Sequence, residues 1–268
     1  MKLGLYLRNM GPQSTRATLL DCARAAEAAG IDDLWVADHV AVPADQSEGS
    51  GGRYLDPLAT LAFLAAATER IGLGTGVLVL PYRPPLATAK WVATIQELSG
   101  GRLRLGVGSG WMEAEFGAAG VPYARRGRDT DDTLRFLHRC FSADQVEANG
   151  QPFLFLPRPA RPPIYVGGGP QQAFRRVIAW GDGWMPTGVD PEALRPAIAE
   201  LRDRATTAGR PIPEVVAIGS LPLEDSGRAA DLVQAYAAAG VTQLVHGFRY
   251  PDADAFARAA GMLAALRP

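Results

Sequence analysis

The sequence is short of the residues on which several common chemistries depend. Its 268 residues hold two lysines, Lys2 and Lys90, and two cysteines, Cys22 and Cys140. Neither lysine falls at the end of an expected strand, which leaves a Schiff-base nucleophile without support. The cysteines are far apart with no CxxC, the pattern of buried thiols in a reducing compartment. The three histidines, His39, His138 and His246, lie far apart with no HExxH spacing, so no metal site is expected. There is no GxGxxG turn and no Walker loop, and GVGSG (Gly106–Gly110) lacks the GxSxG register of a nucleophile elbow. Charge of one sign is not in excess. The 27 basic and 28 acidic residues leave a net charge of −1, and nothing draws the chain in bulk to nucleic acid or a membrane surface. No apolar run approaches the roughly 18 residues of a membrane span. The start, MKLGLYLRNM, is too short and too polar for a signal peptide, and the chain is expected to be cytoplasmic.

What the sequence does contain is one phrase repeated: a short apolar run, a polar or Gly-rich turn, then a stretch of helical period. With 47% apolar residues the chain can build a large core. The strand candidates are Leu3–Leu7, Asp32–Asp38, Ile71–Leu80, Arg102–Gly108, Ile164–Gly167, Trp184–Thr187, Val215–Gly219 and Thr242–Phe248. Between them the spacing predicts helices, among them one capped by Ser14 or Thr15 and closed near Gly30. Others are Asp56–Arg70, one opened by Pro84 and Pro85 with Trp91, Ile95 and Leu98 on one face, Thr130–Phe141, Pro170–Trp180, Pro191–Ala208, Arg228–Ala239 and Asp252–Leu266. Segment Ala41–Tyr54 reads as a mobile loop, and Ala143–Pro163 as an excursion outside the repeat. Strict alternation implies a parallel sheet with right-handed crossovers. Eight units in a chain of this length predict an α/β fold, a (β/α)8 TIM barrel, as a single domain over residues 1–268 with short insertions.

In such a barrel the active site lies at the C-terminal ends of the strands. Glycine is in excess there: Gly72, Gly74 and Gly76 alternate on the third strand, Gly106, Gly108 and Gly110 on the fourth. Two readings are open. Either small residues thin the barrel interior, or a large flat ligand lies across both strands and needs the backbone close. VGGGP (Val166–Pro170) can turn N–H groups and a helix N-terminus toward an anion, or can be a tight turn. Asp38 and His39 end the second strand, where a carboxylate and an imidazole can orient and shuttle protons or merely cap the loop. His138 reads as a packing or surface residue, His246 as a minor candidate, and Arg125, Arg126 and Arg128 as a solvated helix start or an arm over an anionic ligand.

Five segments carry a resemblance: LWVADHV (Leu34–Val40), ATERIGLGTGVLVLPYRPP (Ala67–Pro85), ELSGGRLRLGVGSGWMEAEF (Glu97–Phe116), PPIYVGGGP (Pro162–Pro170) and WGDGWMP (Trp180–Pro186). In this order they resemble the luciferase-like monooxygenase superfamily, most of all its deazaflavin-dependent (coenzyme F420) oxidoreductase branch. The resemblance implies a (β/α)8 barrel with a flavin or deazaflavin at its C-terminal face. It places Asp38 and His39 beside the cofactor ring. Behind the ring it puts a cis peptide at Gly76–Val77, reached through Gly74 and Thr75, with Gly106 and Gly108 along the ring or its tail. Gly167, Gly168 and Gly169 would hold the phosphate. Members that dehydrogenate sugar phosphates carry a glutamate acid after the fourth strand's glycines. Trp111 stands there instead, as an aromatic wall, with Glu113 and Glu115 further on.

The expected activity is an oxidoreductase using coenzyme F420, slightly preferred, or FMN. It would pass a hydride to a small organic substrate or act as a monooxygenase. His39 would deliver the proton, and Asp38 would hydrogen-bond the cofactor or His39. A cofactor-free isomerase or lyase acting on a phosphorylated substrate, and a non-catalytic flavin carrier, are the alternatives. The expected partner is a small molecule, with neither nucleic acid nor membrane, and a homodimer is the assembly left open.

Overall fold

A computed structural model describes residues 1–47 and 49–267. Glu48, inside the segment 41–54, and Pro268 lie outside the described residues. In chain order the elements are β1 (Lys2–Tyr6), α1 (Arg16–Ala28), β2 (Asp33–Val36), α2 (Pro57–Ala65), β3 (Gly72–Val79), α3 (Pro85–Leu98), β4 (Leu103–Gly108), α4 (Glu113–Ala118) and α5 (Arg126–Ser142). They continue with β5 (Gln145–Ala148), β6 (Gln151–Leu154), β7 (Ile164–Gly167), α6 (Pro170–Trp180), β8 (Gly183–Met185), α7 (Pro191–Thr207), β9 (Glu214–Gly219), α8 (Ser226–Ala239), β10 (Gln243–His246) and α9 (Ala253–Ala264). The strands β1-β10-β9-β8-β7-β4-β3-β2 close into a parallel barrel, and β5 and β6 form a separate antiparallel hairpin. The fold is the (β/α)8 TIM barrel that the alternation predicts, and the hairpin is the excursion at 143–163. No described helix is long and apolar enough to cross a membrane.

Local chemistry sets the element ends. The Thr15 side chain accepts from the Thr18 N–H to start α1, and Asp56, Asp225 and Asp252 cap α2, α8 and α9 in the same way. Proline opens α3, α6 and α7. Helix α2 stops at Ala65, short of the expected Arg70. The Glu27 carboxylate accepts from the N–H groups of Glu69, Arg70 and Ile71, while the Arg102 guanidinium takes the carbonyls of Ala65, Thr68 and Ile71. These competing partners bend the chain into β3. On α3 the buried stripe is Thr88, Ala89, Val92, Ala93, Ile95 and Gln96, whereas Trp91 is 47% and Leu98 69% exposed. Small residues let that face approach the barrel, so the Trp91–Leu98 edge of the expected face turns to solvent.

Strands buried on both faces divide the core. Leu3, Leu5 and Leu7 join the large cluster between barrel and helices, and Trp35, Tyr165, Met185, Val216 and Val245 form a second cluster inside the barrel. Trp35 and Tyr165 meet edge-on at 5.9 Å. The described part of segment 41–54 is anchored. Arg8 Nη2 donates to the Gly49 carbonyl, the Gly11 N–H to that of Arg53, and Arg53 Nε to Ser14 Oγ.

Candidate active site

A cavity of about 280 Å³ opens at the C-terminal ends of the strands. One wall is backbone: Gly76 and Val77 of β3, Gly108 of β4, and Gly167 with Gly168 after β7. The lining also includes the polar and aromatic groups Tyr6, Asp38, His39, Tyr82 and Trp111. The Gly76–Val77 peptide is cis, as the resemblance implies, and the register of β3 against β4 shifts between Thr75 and Leu78. Tyr6 Oη donates to the Gly76 carbonyl at 2.7 Å, and burial pushes the Tyr6 phenol well above its ordinary value, so it stays a neutral donor. A Cβ on Gly108 or Gly167 would meet the Val77 methyls at 2.7 and 2.9 Å. Those two glycines therefore make room for Val77, which stands between the backbone wall and the barrel core.

The other glycines serve packing. Gly74, Thr75 and Gly106, placed above among the cofactor contacts, do not line the cavity. A Cβ on Gly74 would come within 2.3 Å of the Trp35 ring, and one on Gly106 within 2.0 Å of the Thr75 carbonyl oxygen. The buried Thr75 hydroxyl donates to the Gly106 carbonyl at 2.7 Å. Of the two readings of the alternating glycines, thinning of the barrel interior holds for the lower positions and exposed backbone for Gly76 and Gly108. After β7, Gly168 takes φ +106°, and its carbonyl accepts from Trp184 Nε1 at 2.8 Å. Gly169 is the N-cap of α6 and stands just beyond the lining. Among the described residues the N–H groups of Gly168 and Gly169 find no protein acceptor.

Asp38 and His39 part company. Asp38 lines the cavity beside His39 but does not bond it, and its carboxylate is fully buried. It takes a bidentate pair from Arg83, at 2.7 and 2.8 Å, and the Val79 N–H at 2.8 Å. Arg83 also reaches Asp56 at 2.7 Å. Burial works against the Arg83 charge, but Asp38 and Asp56 outweigh it and hold the guanidinium protonated. The pair thus locks the end of β3 to the end of β2.

His39 pairs with Glu115 instead, Nδ1 to Oε2 at 2.8 Å. The other Glu115 oxygen accepts the N–H groups of Val40 and Ala41 at 2.8 and 3.0 Å, and Tyr82 Oη donates to Oε2 at 3.0 Å. Burial alone would raise the Glu115 carboxyl, but the Ala41 N–H, the His39 ring and the Val40 N–H together hold it below its usual value. Tyr54 tilts against the His39 ring at 4.8 Å, and Trp111 meets it edge-on at 6.3 Å. Trp111 is 67% exposed and contributes to the cavity lining. Sequence reasoning gave no role to Glu115, Tyr82, Arg83 or Tyr6. Only Glu115 left a usable signal: with Met112 and Phe116 it makes an i, i+3, i+4 buried column, and a carboxylate on that face requires donors.

The remaining candidates fall elsewhere. His138 Nε2 donates to the Trp180 carbonyl at 2.8 Å and ties α5 to α6. Arg125 and Arg128 pair with Asp129 and Asp132 along α5, and Arg126 lies over the Tyr123 ring. His246 lines a separate cleft of about 590 Å³, where Nδ1 accepts the Leu221 N–H at 3.0 Å and the ring stacks on Phe248. Burial pushes His246 down to about 4. An unfolded chain takes up that proton near pH 6.5, before the folded one does. Stability is therefore full above pH 6.5 and expected to fall by about 2–3 kcal/mol toward pH 4. Urea unfolding at pH 7.5 and 4.5 checks this; His246→Leu should remove that share of the difference, and an unchanged difference would refute it.

The family model for luciferase-like monooxygenases matches residues 1–267. An uncharacterized protein of Mycobacterium tuberculosis is 32% identical over 247 residues, covering 85% of this chain and 84% of its own. Among solved structures, an F420-dependent secondary alcohol dehydrogenase in complex with an F420–acetone adduct superposes with a TM-score of 0.83 at 19% identity, covering 100% of this chain and 98% of its own. The oxygenating constituent of 3,6-diketocamphane monooxygenase from Pseudomonas putida, in complex with FMN, gives 0.79 at 13% identity, covering 98% and 97%.

Proposed function

The chain belongs to the luciferase-like monooxygenase family, and on that premise we propose that it is an oxidoreductase that binds a reduced deazaflavin, with FMN second, and acts on a small organic substrate. The observation that carries the reading is the make-up of one cavity's lining: backbone of Gly76, Val77, Gly108 and Gly167 together with a hydrogen-bonded imidazole. The residues fit such a group. Gly76, Val77, Gly108 and Gly167 would face a flat ring, and the unpartnered N–H groups of Gly168 and Gly169 at the start of α6 would hold its phosphate. The bound ring would supply the hydride, or dioxygen activation in the FMN case. Tyr6 fixes the backbone wall, Trp111 covers the mouth, and His39 exchanges a proton with the substrate. The preference for the deazaflavin is supported by the sequence texture of the five motif segments. The same position at the Asp38–Arg83 lock makes Asp38 a positioning residue in this reading.

Titration of the apoprotein with coenzyme F420 and with FMN, side by side, tests the proposal. A protein that binds neither would be a cofactor-free barrel, and a bound cofactor that no substrate turns over would make it a carrier. Gly169→Asp sharpens the test. Its φ of −69° suits any residue, and aspartate caps a helix slightly better than glycine, so stability should hold or rise by a few tenths of a kcal/mol. The added negative charge sits where the phosphate would bind, and affinity should fall at least tenfold. Unchanged affinity would remove the phosphate from the α6 N-terminus.

A further inference from the structure

We propose that Glu115 is a positioning residue that fixes the tautomer of His39, placing the proton on Nδ1 and leaving Nε2 as the atom that exchanges protons with the substrate. This rests on the reading of the cavity as an active site, but its first test does not. Every group that meets Glu115 is a donor: the Val40 and Ala41 N–H groups on Oε1, Tyr82 Oη and His39 Nδ1 on Oε2. A fully buried carboxylate so surrounded is acceptor-only, and its partner nitrogen must carry hydrogen. Among the described residues Nε2 of His39 has no protein partner, and its ring lines the cavity. The other two histidines take the opposite form. His138 Nε2 faces the Trp180 carbonyl and must be protonated, and His246 Nδ1 accepts an N–H, which leaves its proton on Nε2. His39 is thus the odd tautomer of three. The same carboxylate holds the backbone that enters segment 41–54, so one residue sets both the proton-bearing ring and the chain beside it.

The test is nitrogen-15 NMR of the three imidazoles in the full-length apoprotein at a pH where they are neutral. The expected result is one Nδ1–H ring, assigned by its loss in His39→Asn, and two Nε2–H rings. An Nε2–H tautomer for His39 in the wild type would overturn the proposal without any substrate being known. Glu115→Gln keeps the shape and both backbone contacts, but its amide N–H would donate to Nδ1 and drive the proton to Nε2. We expect the tautomer to switch and kcat to fall tenfold or more with little change in KM. A switched tautomer with unchanged kcat would overturn the role of Nε2, and an unswitched tautomer the role of Glu115. If His39→Asn leaves turnover intact while the tautomers are as expected, the active-site reading fails and the tautomer assignment stands.

Discussion

Replacing His39 with alanine is expected to slow turnover by about 10²–10⁴-fold, the range of general acid–base assistance, while cofactor affinity changes by less than tenfold. The ring is held by Glu115, flanked by Tyr54 and Trp111, and shares the cavity lining with the backbone wall. Nothing in that wall depends on it, and so binding should survive its loss. A purely structural His39, holding segment 41–54 in place, would show the reverse: a lower melting temperature with near-normal turnover. Steady-state kinetics and cofactor titration on the same preparation separate the two. Equal turnover in variant and wild type would end the catalytic assignment.

Asp38→Ala should act on stability first. It leaves the Arg83 guanidinium, 14% exposed, with only the half-exposed Asp56 for an ion-pair partner, and it strands the Val79 N–H. Breaking a buried pair from one side costs about 3–5 kcal/mol, a drop of roughly 10 °C in melting temperature for a chain of this size. Cofactor binding should weaken as a consequence, because Val79 ends the strand that carries Gly76 and Val77. The double variant Asp38→Ala, Arg83→Met removes the uncompensated charge and should recover part of the loss. If the double variant is no more stable than the single one, the pair is not what holds β3 to β2. Thermal unfolding of the three proteins gives the answer.

The barrel was legible because its strands are short apolar runs separated by helical periods, and β7 and α6 begin and end where the runs do. Boundaries moved where side chains from elsewhere captured the backbone, as Glu27 and Arg102 do beyond α2. The site was legible in outline. The motifs led to His39, Trp111, Gly76, Val77, Gly108 and the glycines after β7. They placed Asp38 at the cavity but not its partner, since adjacency in sequence says nothing of partner: after a strand ends, neighbouring side chains diverge, and Asp38 turned to Arg83 while His39 turned to Glu115. Those partners lie 45 and 76 positions away in the chain, beyond the reach of local spacing. The alternating glycines were ambiguous for a similar reason. Gly74 answers to a tryptophan on the neighbouring strand, and only the register of β2 against β3 brings the two together.

Trp35 gives the barrel a floor that cannot be adjusted by degrees. One indole, admitted by the missing side chain of Gly74, occupies space that several aliphatic residues could otherwise share. A lineage selecting for a larger or smaller substrate cannot trim this floor a methyl at a time. Shortening Trp35 leaves a void, and enlarging Gly74 collides with the ring at 2.3 Å. Trp111, 67% exposed, is by contrast free to vary without disturbing that interior. Relatives descended from a common barrel with this floor should therefore differ in the residues at the mouth and share the aromatic plug beneath it.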